Sequence, residues 1–231
     1  PKKFWCRGLI MVKEKAPENA AIRLSLYLRY LREMREEESI SSEQLAQFIG
    51  TSGVRVRKDL SYFGQFGTPG KGYTVGRLRE QISKVLGLDK TWSIALIGVG
   101  KLGTALLGYP GFRKSGFHIK VGFDVKPSKI GRKIAGVPIH HPYQMPRIIR
   151  EQEIRIGIIA VPAGAAQESA DLLIISGVRA ILNFSPVRVI VPSYVRLRNV
   201  DFASQLEVIP YYIATGLDSS VEDLNASKGS P

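Results

Sequence analysis

Three glycines spaced as G-x-G-x-x-G, in Gly98-Val99-Gly100-Lys101-Leu102-Gly103, are the residues of this chain best suited to hold a pyrophosphate. Glycine-rich turns are common, so the spacing alone is weak and its surroundings carry the argument. The short apolar run Trp92–Ile97 ahead of the motif has strand character, and residues 102–107 after it read as the start of a helix. Backbone N–H groups and the positive helix end would then face an anion. Asp124 closes the next apolar run, 119–123, and stands 21 residues beyond Gly103. That is close to the roughly 20-residue interval of an acid that binds a ribose 2′-hydroxyl. A carboxylate there repels a 2′-phosphate, which favours NAD(H) over NADP(H), while Lys126, next but one after Asp124 with Val125 between them, argues the other way. Val161-Pro162 and Asn183-Phe184 follow the apolar runs 154–160 and 180–184. These are strand-end positions where a nucleotide crosses a parallel sheet, and an ordinary turn explains them equally well.

A second set of residues suits a different anion. In the segment Thr51-SGVRVRKDLSYF-Gly64, successive residues advance about 100° around a helix, which gathers Val56, Leu60 and Phe63 into one buried stripe. Ser52, Arg55, Arg57, Lys58, Ser61 and Tyr62 are left for the outer face, together with Val54. Before it, Ser41 and Gln44 make a capping box for a short helix carrying Leu45, Phe48 and Ile49, and Gly50 ends that helix. Thr51 is positioned to cap the next. Two helices around a tight turn, the second basic on its outer face, match a helix-turn-helix whose second member enters the major groove. Residues 64–75, rich in Gly and Pro, read as a β-hairpin wing tipped by Pro69, Gly70 and Lys71. A basic outer face is also what a merely solvated helix shows. The order of turn, basic helix and glycine hairpin is what favours DNA.

The elements that must position these groups follow from periodicity. A long helix is expected from about Pro17, with Leu24, Tyr27, Leu28, Leu31 and Met34 at helical spacing, and residues 76–86 return to that spacing with Leu78, Ile82 and Val85. From Thr91 short apolar runs alternate with helical segments near 143–150 and 163–176, which implies a parallel sheet wound on both sides. The fold expected is α/β: a winged helix-turn-helix domain over 17–87, a Rossmann-like doubly wound parallel sheet over 88–200 and a C-terminal helix over 201–214. Phe202, Leu206, Ile209 and Ile213 form an apolar stripe on that last helix, and Pro210 should kink or stop it. Residues 1–16 are read as a leader, the first ten as a tag remnant or upstream start, and the polar 215–231 as a disordered tail.

Composition narrows the function. The net charge of +13 favours an anionic partner, yet residues 1–90 hold 17 basic and 10 acidic residues and the remainder 16 and 10, so bulk charge singles out neither half. The one cysteine, Cys6, excludes a disulfide framework and a cysteine-based zinc site, so any redox sensing would act through a bound molecule. No apolar run reaches the length of a membrane helix and nothing resembles a cleavable signal, which places the chain in the cytoplasm with no membrane partner. His118, His140 and His141 form no acid–base constellation; the first leads into a strand and the others precede Pro142 in a connection. With 128 residues after Gly103, the chain can complete one nucleotide-binding sheet but no substrate domain, so an NAD-dependent dehydrogenase is the weaker alternative. A coenzyme A-binding regulator is the other.

The segments Arg57-KDLSYFG, Gly72-Tyr73, Gly98-VGKLG, Tyr109-PGF, Phe123-Asp124, Asn183-Phe184 and Asn199-VDF, in this order, resemble the Rex redox-sensing transcriptional repressors over nearly all of residues 17–214. The resemblance implies a non-enzymatic homodimer that binds palindromic operators and releases them when NADH binds, NAD⁺ binding more weakly or in competition. It implies that Arg57 and Lys58 face the major groove or its phosphates and that Lys71 reaches the neighbouring backbone or minor groove. Gly98, Gly100, Lys101, Leu102 and Gly103 would cradle the pyrophosphate, Asp124 would hold the adenine ribose and Tyr109 would stand near the nicotinamide. Arg29 and Asp201 would carry the ligand state to the DNA-binding domain, and the C-terminal helix would be swapped into the partner subunit.

Overall fold

The computed structural model describes residues 16–67 and 72–215. The chain divides into two compact units, with the boundary between Thr91 and Trp92. The expectations for the leader, the wing tip with Lys71, and the tail beyond 215 lie outside the described residues.

In the first unit the apolar spacing produces α1 (Glu18–Leu31), whose Leu24, Tyr27, Leu28 and Leu31 are buried. Strand β1 (Ser39–Ile40) leads into α2 (Ser42–Ile49). The capping box is formed: Gln44 N–H donates to Ser41 Oγ at 3.1 Å, and Ser41 N–H donates to Gln44 Oε1 at 2.8 Å. Gly50 ends the helix with φ of 66°, a left-handed conformation that glycine adopts at little cost. Helix α3 (Gly53–Ser61) is capped by Ser52, not Thr51, because the Ser52 hydroxyl is the one that reaches the Arg55 N–H, at 3.2 Å. Phe63 lies past the end of α3 and Met34 past the end of α1, so each packs only partly buried against the core of this unit.

Of the hairpin expected over 64–75, residues 68–71 lie outside the described residues. Strand β2 (Tyr73–Thr74) pairs antiparallel with β1, which brings Tyr73 opposite Ile40 across a long chain separation. Gly72, at φ 71°, lies close enough to the Ile40 carbonyl that a Cβ would collide with it. Helix α4 (Val75–Val85) closes the unit over Leu78 and Ile82.

The second unit contains β3 (Trp92–Ile97), α5 (Lys101–Gly108), α6 (Pro110–Lys114), β4 (Phe117–Phe123), β5 (Lys133–Ile134), β6 (Val137–His140), α7 (Met145–Glu151), β7 (Ile156–Ile159), α8 (Ala166–Ser176), β8 (Ala180–Asn183) and β9 (Arg196–Asn199). The sheet order is β5-β6-β4-β3-β7-β8-β9, parallel except for the β5-β6 pair. Six strands thus follow the doubly wound order, and the order of strand addition reverses between β3 and β7, where ligands bind at the strand carboxyl ends. Strands β5, β6 and β9 are not evident from the sequence because each is short and none is a continuous apolar run. His140, expected in a connection, ends β6, and His118 lies within β4.

The chain after the sheet breaks into α9 (Phe202–Glu207) and α10 (Ile209–Ala214), with Pro210 in the first turn of α10. Proline is tolerated in a first turn, where its missing N–H would have no helical partner, and this is why the helix restarts at that point. Phe202, Leu206, Ile209 and Ile213 are all largely exposed. Among the described residues no helix is long and apolar enough to cross a membrane.

Candidate functional site

The glycine loop joins β3 to α5 at the point where the sheet order reverses. Gly98 has φ of 91°, and a Cβ there would strike the Ala160 carbonyl, so the loop can lie this close to β7 only with glycine. At Gly103 a Cβ would strike the Gly98 carbonyl, which lets α5 pack directly onto the loop. Gly100 differs: nothing lies within 4 Å of the position a Cβ would take. That open space stands before the first turn of α5, whose Gly100 cap supplies no side-chain acceptor to its N–H groups. Free donors and space beside them are what a pyrophosphate needs.

A cleft of about 370 Å³ opens beside the loop and is lined by Gly98, Gly100, Asp124, Val125, Lys126 and Lys129, with Val161 and Pro162 on the far side. The Asp124 carboxylate is nearly covered, with its side chain 10% exposed. Its Oδ2 accepts from Val99 N–H at 3.0 Å and from Lys129 Nζ at 3.0 Å, and its Oδ1 accepts from Lys126 N–H at 2.8 Å. A carboxylate has about four acceptor positions, so roughly one is left for a ribose hydroxyl. Burial pushes the Asp124 carboxyl up, but the Lys126 N–H, the Lys129 ammonium and the Val99 N–H outweigh it and hold the group below its ordinary value.

The other expected cofactor residues divide. Val99 has a buried side chain and meets the cleft through its backbone, and Lys101 and Leu102 are exposed on the first turn of α5. Tyr109 caps α6 with its ring half exposed and edge-on to Phe112 at 5.1 Å. Asn183 does not line the cleft. It is fully buried, and its amide donates to Val187 O at 2.8 Å and to Asn199 Oδ1 at 3.0 Å while accepting from Ser185 N–H at 3.0 Å. Its work is to tie β8 to β9. Phe184 is partly buried with its ring 6.0 Å from that of Phe202. Lys129 is a cleft residue that sequence patterns do not reveal, as are Glu168 and Ser169. Lys129 follows Asp124 by five positions, and nothing in DVKPSK announces that the turn through Pro127 folds the ammonium back.

In the first unit, Arg55 and Lys58 are exposed on α3. Arg57 is not free: its Nη1 donates to Ser42 Oγ at 2.5 Å and to Glu43 Oε1 at 2.6 Å, at the start of α2. The Glu43 side chain lies over Gly53, where a Cβ would press against its carboxylate. The Arg57 guanidinium, with help from the Glu43 and Ser42 donors, holds the Glu43 carboxyl below its usual range. Ser61 Oγ donates to Lys58 O at 2.7 Å, and Tyr62 caps the end of α3. Asp59 is another residue not expected from the sequence. It falls on the apolar stripe, three residues after Val56, and is fully buried against Arg23 and Tyr27. A charged residue inside a hydrophobic stripe was the available signal.

Of the residues expected to couple the domains, Arg29 is exposed on α1. Asp201 caps α9, accepting from Ala203 N–H at 3.0 Å and Ser204 N–H at 3.3 Å.

Comparison with known proteins brings the two units together. Residues 15–61 match the family described as the putative DNA-binding protein N-terminus, and residues 89–187 match the coenzyme A binding domain. The redox-sensing transcriptional repressor Rex of Pelotomaculum thermopropionicum is 48% identical over 199 residues, covering 85% of this chain and 93% of that protein. The solved structure of RSP in complex with β-NAD⁺ and operator DNA superposes with a TM-score of 0.81 at 36% identity, covering 94% of this chain and all of that one. The structure of RSP with β-NADH gives 0.80 at 35% identity, over 90% of this chain and all of that one.

Proposed function

This chain belongs to the Rex family of redox-sensing transcriptional repressors, and from that premise we propose that it binds a palindromic operator as a homodimer and releases it when NADH occupies the cleft at the β3–β7 reversal. It acts as a cytoplasmic regulator and not as an enzyme. The observation that carries the reading is the joint presence of an exposed basic face on α3 and a glycine cleft built for a dinucleotide, on a chain matched over most of its length by relatives of that kind.

On this reading Arg55 and Lys58 reach the major groove or its phosphates directly, with Ser52, Ser61 and Tyr62 beside them. Arg57 exchanges Glu43 for a phosphate or base edge, and Lys71 contacts the DNA beside the wing. In the cleft the Gly98–Gly103 loop and the start of α5 hold the pyrophosphate, with Lys101 and Leu102 on that first turn. Asp124 orients the ribose, Val125 and Lys126 flank it, and Val161 and Pro162 line the cleft at the end of β7 while Asn183 holds β8 to β9 behind it. The bound dinucleotide supplies a nicotinamide ring whose charge differs between the oxidised and reduced forms. A site that strips water from that ring beside Tyr109 disfavours the positive form, because an unpaired charge is costly to desolvate.

The exposed stripe on α9 and α10 packs against the second subunit, where burial of Phe202, Leu206, Ile209 and Ile213 removes apolar surface from water. Arg29 and Asp201 are the residues through which occupancy alters DNA affinity. A coupling of about 1–3 kcal/mol between ligand and operator changes operator affinity by roughly 5- to 150-fold, and DNA weakens NADH by the same factor.

The test is a gel-shift titration of a palindromic promoter fragment with NADH, NAD⁺ and coenzyme A. NADH releases the fragment at lower concentration than NAD⁺, and coenzyme A leaves it bound. Release by coenzyme A alone would replace this reading with the regulator suggested by the match over 89–187.

A further inference from the structure

The ribose end of the cleft holds an ion pair and not a bare carboxylate. Lys129 Nζ lies 3.0 Å from Asp124 Oδ2 and donates to the Val99 carbonyl at 2.5 Å. Its side chain is mostly covered, and the peptide it grips belongs to the glycine loop itself. Two bonded partners anchor this ammonium, which distinguishes it from a surface lysine free to leave when a ligand arrives. Withdrawing it would give up a short bond to a loop carbonyl that Thr104 Oγ1 reaches only at 3.5 Å.

We infer that Lys129 is a specificity-determining residue of the nucleotide site: it offsets the charge of Asp124, so that rejection of a ribose 2′-phosphate is set by the balance of the two groups and not by the carboxylate alone.

The inference rests on the dinucleotide reading above and deepens it. An aspartate in this position excludes a 2′-phosphate because two anions a few ångströms apart repel each other in a partly dry site. An ammonium at hydrogen-bond distance from that aspartate reverses the sign of the second-nearest charge. The 2′-phosphate then meets a carboxylate and an ammonium together, with Lys126 exposed on the same turn. A 2′-hydroxyl carries no charge and feels the pair far less. Lys129 therefore acts on NADPH much more strongly than on NADH.

The two ligands differ only at this phosphate, so the ratio of their dissociation constants cancels any general disturbance of the loop. The experiment measures that ratio by nucleotide fluorescence for the full chain, for Lys129→Gln, which keeps a donor toward Val99 without the charge, and for Lys129→Arg, which keeps the charge. In Lys129→Gln the Kd of NADPH relative to that of NADH is expected to rise at least tenfold, and in Lys129→Arg to stay within threefold of the parent. Should Lys129→Gln bind neither ligand, Lys129→Met supplies a second uncharged side chain of similar length, with the ratio expected to rise at least tenfold as in Lys129→Gln. A ratio unchanged in Lys129→Gln, with NADH still bound and still releasing operator, overturns the inference and leaves the repressor reading standing. Failure of the unmodified protein to bind NADH overturns the repressor reading itself.

Discussion

Asp59 and Asp124 are the same chemical group with the same number of hydrogen bonds, and they stand in opposite surroundings. Asp59 sits in the first unit at no exposure, accepting from Arg23 Nε at 2.5 Å, Arg23 Nη2 at 2.7 Å and Tyr27 Oη at 2.8 Å. Asp124 accepts three bonds as well, two of them from backbone N–H groups, and lines an open cleft. These donors to Asp59 are all side chains of α1, so its bonds dock that helix against α3. Backbone donors hold Asp124 in place whatever happens to neighbouring side chains, which frees its remaining acceptor capacity for a ligand. Counting bonds does not separate a structural acid from a binding one; where the donors come from, and whether solvent reaches the site, does.

The largest effect that can break this contrast is expected at Asp59. Replacing it by alanine strands the Arg23 guanidinium, and with Arg23 one-quarter exposed the cost falls at the lower end for a broken buried pair, about 3 kcal/mol. Denaturant unfolding of Asp59→Ala should show the first unit lost at lower urea and operator binding lost with it, while NADH fluorescence titrates normally. Arg57→Ala should reach the same loss of operator binding with the first unit intact, at about 1–1.5 kcal/mol per half-site. A variant that unfolds as early as Asp59→Ala would instead make Arg57 a docking residue between α2 and α3. Asp124→Ala is expected to weaken NADH by about 2 kcal/mol, roughly 30-fold, with operator affinity in the absence of ligand unchanged. Unchanged NADH affinity in that variant would sink the assignment of Asp124 to the ribose.

The smallest effect is a pH dependence confined to the first unit. Burial, and then the hydrogen bond to the Asp59 carboxylate, push the Tyr27 phenol well above its ordinary value. A group whose pKa is raised on folding contributes fully below its unfolded value, about 10 for tyrosine, and that contribution fades as pH rises toward the folded value. Stability of the first unit should therefore fall above about pH 10, and Tyr27→Phe, costing about 1 kcal/mol at neutral pH, should flatten that alkaline decline. A decline of equal slope in Tyr27→Phe would assign it to another group.

Much of the architecture is legible in the residues taken in order. Helix α1, the capping box at Ser41 and Gln44, the Gly50 stop, the strand–loop–helix around Gly98–Gly103 and the restart at Pro210 all rest on interactions within a few residues. Local periodicity and capping chemistry therefore suffice to place them. The wing shows the opposite case. Tyr73 and Thr74 pair with Ser39–Ile40, and no local pattern reports a pairing across more than thirty positions.

The candidate site divides along the same line. Gly98, Gly100, Gly103 and Asp124 follow from their spacing together with the apolar runs beside them, because a phosphate-binding turn and its ribose acid are separated by a nearly fixed βαβ length. Lys129 and Glu43 emerge only from the folded chain, and Asp59 shows in the sequence only as a charge on an apolar stripe, since each acts on a residue brought to it by a turn or by the packing of a neighbouring helix. Asn183 moves the other way, from an expected ligand contact to a buried tie between β8 and β9. By itself, then, the sequence determined the alternation of four apolar strands with helices, the basic face of α3 and the glycine loop with its acid. The tertiary structure decided which charges are neutralised and which stay available, because a charge is set by its nearest partners, and those are chosen by folding.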